Sequence, residues 1–272
     1  MDTSLILCES CGVEHSTEAL TAGDCRICRD DRQYLPPSGQ SWITLGELLE
    51  RDQRLGFREV HPGLWEIQPE PRLGIGQHSI LLRTSSGNLL WDPPASIDPA
   101  SIARVQELGG IAVIASSHPH MFGLQLEWSA AFSDAPVYVA AADQRWLQRT
   151  GPAIQLWSER LQLLPEVSLL QTGGHFPGSA VAHWAAGEGV LLTGDTIFPV
   201  PSGWVSFMRS YPNYLPLSPA IVRRVAARVS TLEFDRIHGN FGNVIPRNAK
   251  AVINESAERY AAWASGENDQ LC

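Results

Sequence analysis

The sequence predicts an α+β chain: two mixed sheets with helices outside them, behind a small cysteine-rich module. Three observations carry that expectation. From about residue 42, short apolar runs of strand length alternate with helical patterns, in the order strands, βα units, strands, βα again. Four of the five cysteines fall within the first 28 residues. Between these two textures lies "YLPPSGQ", a turn-forming stretch. The expected boundaries are a module at 1–36, a linker and connecting helix at 37–56, and a main domain at 57–266.

Taken in order, "GLWEIQ", "SILLRT" and "NLLWD" read as strands, with "SSGN" turning between the second and third. "DPASIARVQEL" is helical, and "IAVIAS" is a buried strand. "GLQLEWSAAF" is helical again, followed by the strand "APVYVA" and a segment without a clear period. "SLLQT", "AVAHWAA" and "VLLTGD" are three further strands. "SPAIVRRVAARV" has Ser218 as N-cap, Pro219 at the first helical position and Ile221, Val222, Val225 and Val229 at helical spacing. "FDRIHG" is a short strand, and "RNAKAVINESAERYAAWA" is the closing helix.

Composition narrows the function. A chain of 272 residues, 44% hydrophobic and 18% charged, buries an ordinary globular core. Nine tryptophans favour large cores and pockets with a polar edge. A net charge of −9 without a basic run argues against nucleic acid or an anionic membrane as partner. Residues 1–35 carry seven acidic and three basic side chains, the wrong sign for a nucleic-acid clamp. No apolar stretch approaches a membrane span, and "MDTSLILCES" lacks both parts of a signal peptide, so the expected location is cytoplasmic.

Cys8 and Cys11 in "CESC", then Cys25 and Cys28 in "CRIC", form two tight knuckles. Each can aim two thiolates at one tetrahedral ion, which leaves no position open for chemistry. A module this short needs such a staple, so structural zinc is expected. Rubredoxin-like iron is the alternative metal, and two disulfides or free thiols the bland readings. His15 is expected at the surface.

The stretch "ASSHPHMFG" places His118 and His120 after a buried strand. Pro119 pushes His118 to an extended conformation, where residues two apart share a side. His175 in "QTGGHFPG", Asp195 in "LLTGDT" and His238 in "FDRIHGNFG" each stand at a strand end too. Five potential metal ligands at strand ends are hard to ascribe to chance.

This order resembles the metallo-β-lactamase superfamily, whose motifs are HxHxDH, His, Asp and His; the resemblance covers about residues 57–265. It implies an αββα sandwich with the metal site along one edge. It also implies that His118, His120 and His175 hold one metal, that Asp195 bridges or is a fourth ligand, and that His238 belongs to a second site. Here the chain departs from the pattern, because Phe122 and Gly123 stand where the motif needs Asp and His. The expectation is one intact site and one dismantled. Asp92 of "LLWDPP" is expected to orient a ligating histidine, and His78 to be a substitute ligand or pocket donor. His61 and His183 are expected at the surface or an edge.

A metal-dependent hydrolase of small esters, lactones or thioesters follows, with Asp195 as general base and His238 as proton shuttle or oxyanion donor. The segment "FPVPSGWVSFMRSYPNYLPL" is expected to wall the pocket with Trp204, Phe207, Tyr211 and Tyr214, with Arg209 for an anionic group and Met121 and Phe122 as further apolar wall. The rival readings are a mononuclear iron oxidoreductase and a non-catalytic binding protein. The amino-terminal module is open to three roles: stabilising the fold, forming a homodimer or covering the site.

Overall fold

The structure is a computed structural model that describes residues 1–17 and 24–272, so the middle of the spacer between the two cysteine pairs lies outside the described residues. It divides into two compact units, Met1–Trp157 and Ser158–Cys272.

The first unit begins with β1 (Ile6–Cys8), β2 (Glu14–His15), helix α1 (Arg26–Arg29), β3 (Trp42–Thr44) and helix α2 (Leu45–Glu50). The three strands form an antiparallel sheet in the order β2-β1-β3, with Leu7 opposite Glu14 and Ile43. Residues 37–56 thus supply a strand to the cysteine module as well as the short helix. Thr44 caps that helix through a reciprocal bond with Glu47.

A seven-stranded mixed sheet follows: β4 (Arg54–His61), β5 (Leu64–Glu70), β6 (Ser79–Thr84), β7 (Gly87–Trp91), β8 (Val113–Ala115), β9 (Val137–Ala140) and β10 (Ile154–Trp157). Strands β4 to β7 are an antiparallel meander, and β7 to β10 run parallel. Parallel neighbours need crossovers. These are α3 (Pro99–Glu107), capped by Asp98 with Pro99 at its first position, and α4 (Gln125–Ala131).

The second unit has a six-stranded sheet of β11 (Arg160–Leu164), β12 (Val167–Gln171), β13 (Ala180–Trp184) and β14 (Val190–Leu192), later joined by β19 (Arg236–His238) and β20 (Val244–Ile245). Between come two small hairpins, β15 (Phe198–Pro199) with β16 (Val205–Ser206) and β17 (Met208–Ser210) with β18 (Leu215–Pro216). Helix α5 (Pro219–Val229) starts at Ser218 as the sequence predicts. Then follow β19 (Arg236–His238), β20 (Val244–Ile245) and α6 (Ala249–Ala264). Val222, Val225 and Val229 of α5 and Ile253 and Ala257 of α6 pack with Leu170, Val181, Leu191 and Ile237 from the sheet.

Among the strands longer than three residues, β4, β10 and β11 are the ones the sequence pattern does not predict. All three are edge strands with many exposed or half-buried residues, so the alternation that betrays a strand is weak in them.

Candidate metal centres

The four module cysteines are free thiols, all buried, with their sulfurs within 4.8 Å of one another. Cys8 Sγ lies 3.6 Å from Cys28 Sγ, and Cys11 Sγ 3.8 Å from Cys25 Sγ. A disulfide needs about 2.05 Å. A tetrahedron with metal–sulfur bonds of about 2.3 Å has edges of about 3.8 Å, so these spacings fit a metal and not a bridge. Hydrogen bonds from Cys11, Cys28 and Cys8 hold the Cys25 thiol well below its ordinary value against burial, and His15 acts in the same direction. Gln40 Nε2 donates to Cys8 Sγ at 3.0 Å. His15, expected at the surface, is 1% exposed and stands edge-on to Trp42. Its place in β2, beside the cysteine cluster, puts it inside.

In the first unit, β8 delivers Ser116 to His120. His118 is extended, with φ −170° and ψ 172°, as Pro119 requires. The next residues do not stay extended: Pro119–Met121 is a 3-10 turn, with the Met121 N–H bonded to the His118 carbonyl at 3.0 Å. Proline's fixed φ suits the first position of such a turn. A turn rather than strand alternation therefore brings the two rings to a centroid distance of 5.1 Å, at 76°.

Asp92, with φ +56°, ends β7 and faces this segment. Its Oδ1 accepts the Ser117 N–H at 2.6 Å and its Oδ2 the Ser117 hydroxyl at 3.0 Å; that hydroxyl lies 2.8 Å from His118 Nδ1. An ionised carboxylate only accepts, so the serine proton goes to Asp92 and Nδ1–H of His118 donates to Ser117. His118 Nε2 then carries the lone pair. Orientation of a histidine by Asp92 is thus realised through Ser117, a residue the sequence reading passed over although it adjoins His118.

In the second unit, Gly173 (φ +67°) and Gly174 (φ +97°) turn the chain after β12 into His175. A Cβ on Gly174 would lie 3.1 Å from Thr196 Cγ2, so the close approach also favours glycine. His175 Nδ1 sits 3.0 Å from the Met208 carbonyl, which can only accept, so Nε2 again carries the lone pair; it is 3.8 Å from Asp195 Oδ2. Asp195 follows the positive-φ Gly194 at the end of β14. The Tyr211 hydroxyl donates to the Asp195 carbonyl at 3.0 Å. Burial, then the Asp195 charge, raise the Tyr211 phenol well above its ordinary value. Strand β19 runs parallel to β14 with His238 opposite Leu192, so His238 reaches the same sheet edge as Asp195.

One nitrogen each from His118, His120 and His175 and one oxygen of Asp195 make a buried group whose atoms all lie within 4.8 Å. Three imidazoles can hold one tetrahedral ion and leave its fourth position open, with the carboxylate beside it. His238 is buried too but is not one of the four. His78 Nδ1 pairs with Glu66 at 2.9 Å instead of joining them. Burial pushes the Glu66 carboxyl up, yet His78 and Arg58 outweigh it and leave the group at about 2.

Several expected pocket residues are placed elsewhere. Phe207 is fully buried in the core of the second unit, edge-on to Tyr260. Met121 and Phe122 are buried rather than lining an open wall. Tyr211 does stand beside the donors, its ring 6.2 Å from that of His175 and its hydroxyl bonded to the Asp195 and Ser206 carbonyls, whereas Tyr214 is 84% exposed. Trp204 lies under the Arg259 guanidinium beside an open groove of about 520 Å³ that also takes in Met208, Tyr260 and Trp263. Arg209 is half-buried in β17. His183, expected at an edge, is buried with Nε2 donating to the Glu233 carbonyl at 2.7 Å, and His61 is half-buried in β4.

Gly123 explains the broken motif. Its φ is +49°, and a Cβ there would lie 2.1 Å from the Pro93 carbonyl oxygen. No histidine fits that backbone.

Residues 73–240 match the metallo-beta-lactamase superfamily. An uncharacterized Bacillus subtilis protein, YmaE, is 40% identical over 267 residues, which is 96% of this chain and 97% of that one. Among solved structures, DIM-1 metallo-beta-lactamase matches with a TM-score of 0.61 and 13% identity, over 77% of this chain and 98% of its own. FIM-1 from Pseudomonas aeruginosa, in its mono-zinc form, matches at 0.55 with 18% identity, over 76% and 96%. The likeness to these structures is one of fold.

Proposed function

This chain belongs to the metallo-β-lactamase superfamily, and on that premise we propose that it is a hydrolase using one zinc ion held by His118, His120 and His175, with Asp195 beside it as general base. The observation that supports this most is the grouping of those four donor atoms within 4.8 Å. The mono-zinc form of FIM-1 is a precedent for a single ion in this fold.

A zinc ion with an open position lowers the pKa of its water to about 7 and polarises an acyl oxygen. The protein's own groups do the rest. Asp92 through Ser117, and the Met208 carbonyl directly, fix which nitrogen of His118 and of His175 faces the ligand position. Asp195, its backbone tethered by Tyr211, takes the proton from the attacking water. His238, at the same sheet edge, would take that proton from Asp195 and pass it to the leaving group. The substrate is a small ester, lactone or thioester.

The test is elemental analysis of the purified chain and of His118→Ala, with a hydrolysis screen over those three substrate classes. Two zinc ions per chain falling to one, with loss of the activity found, support the reading. Metal content unchanged by His118→Ala refutes it. Iron at this site together with oxygen consumption transfers the chain to the oxidoreductase reading.

A further inference from the structure

The cysteine module is bonded to the chain segment that leaves His120. The Glu14 N–H donates to the Gly123 carbonyl and the Ser16 N–H to the Gln148 carbonyl, each at 3.1 Å. The Glu14 carboxylate is 2% exposed, a costly place for a charge unless it is paired. One of its oxygens accepts the Leu126 N–H at 2.9 Å, and the other an Arg149 N–H at 2.7 Å. Arg149 also reaches Glu127 at 2.9 Å. On the opposite flank, Gln77 Nε2 donates to the Cys11 carbonyl at 3.4 Å, and Gly12 is so close to Ala95 that the two Cβ atoms would lie 2.5 Å apart.

These bonds make a short connection. Glu14 stands three residues after Cys11, and Gly123 three residues after His120. In the HxHxDH pattern, the residues at positions 122 and 123 would be tied down by a second metal. Here they carry no donor, and the module's β2 strand holds the same segment by backbone and carboxylate bonds.

We propose that the metal bound by the four cysteines governs the affinity of the histidine site, with Glu14 as the positioning residue that carries the coupling. The proposal rests on the reading of His118 and His120 as ligands and on no particular substrate. The module is too small to hold its fold without its ion, so losing the ion costs β2 its position. Glu14 then leaves Leu126 and Arg149, and the segment after His120 loses the bonds that tie Gly123 and Leu126 to β2. Ligand atoms must be held within about 0.5 Å, so the loss of these bonds loosens the ligand geometry.

The test uses the full chain with cobalt(II) as probe, because thiolate-to-cobalt charge-transfer bands report the cysteine cluster and weaker d–d bands report a histidine–carboxylate site. Cys25→Ser, Glu14→Ala, Glu14→Gln and His118→Ala are titrated beside the unaltered protein. Glu14→Ala is expected to weaken the histidine site about tenfold or more while leaving the thiolate bands whole. Glu14→Gln keeps an acceptor for the Leu126 N–H and is expected to recover most of that loss. Cys25→Ser is expected to weaken the site at least as much; if it does not fold, Glu14→Ala decides, since its cysteine cluster is complete. Histidine-site affinity within about twofold of the unaltered protein in Glu14→Ala overturns the coupling. His118→Ala separates the two failures. If it leaves the d–d bands unchanged, the ligand assignment falls and the coupling with it; if it abolishes them while Glu14→Ala changes nothing, only the coupling falls.

Discussion

The cysteine cluster and the histidine–aspartate cluster solve the same problem by opposite routes. The cysteines lie between positions 8 and 28, paired in knuckles, so turns of the local chain bring most of the donors together. The second cluster draws donors from positions 118 to 195, two from the turn after β8 and one each from the ends of β12 and β14. Four like sulfurs close off an ion, as a structural site requires. Three imidazoles with a carboxylate beside them hold an ion less symmetrically, and their orientation depends on partners such as Ser117 and the Met208 carbonyl. Chain-local donors thus suit a staple, whereas the second group gathers donors far apart in sequence.

The widest break in the comparison is expected between Cys25→Ser and His118→Ala. The first removes a metal worth about 10 kcal/mol or more of folding free energy to a small module, so melting should show early loss of structure. The second should leave the melting curve nearly unchanged and lower hydrolysis on the order of a thousandfold. Equal destabilisation by the two would erase the distinction between staple and active site.

Next in size is Gly123→Ala. With φ +49° and the Pro93 carbonyl 2.1 Å from the added Cβ, it should destabilise the first unit by about 2–4 kcal/mol, read as a shift of the urea midpoint. A neutral result would mean that this segment is free to move.

Ser117→Ala sharpens the contrast at the level of partners. Without the hydroxyl between Asp92 and His118, zinc affinity at the histidines should fall about 10–100-fold, followed by competition with a chelator. The cysteine cluster should keep its metal in the same experiment.

The most gradual effect is a pH slope. Burial pushes the Glu14 carboxyl up to about 7, while the Leu126 N–H and Arg149 pull it down and Glu127 adds to the rise. The unfolded value is 4.5, so between 4.5 and 7 the folded state binds the proton more tightly. Stability from this group is fully present below 4.5 and is lost as pH rises to about 7, at up to about 1.4 kcal/mol per pH unit. Subtracting the profile of Glu14→Gln from that of the unaltered protein isolates the slope; a flat difference would show that Glu14 titrates normally.

Much of this was legible in the chain. Ser218 and Pro219 announced α5, and the short apolar runs announced most of the central strands, because a buried strand or a capped helix leaves a periodic trace. The edge strands β4, β10 and β11 left little trace, since nothing packs on both of their sides. His118, His120, His175 and Asp195 were legible as donors because few other residue types serve a metal. Phe207 was misjudged as a pocket wall because an aromatic reads the same in a core as in a pocket.

The sequence by itself determined the spacing of the thiolates, the order of the strand-end ligands and the loss of donors at Phe122 and Gly123, all of which depend on residue identity along the chain. Only the tertiary structure decided which nitrogen of His118 and of His175 is offered, that His15 is inside, and that Glu14 and Gly123 are bonded across more than a hundred positions of sequence. The reason is physical: hydrogen-bond partners such as the Met208 and Gly123 carbonyls belong to the backbone, which is the same for every residue type and becomes specific only when folding brings it beside a side chain.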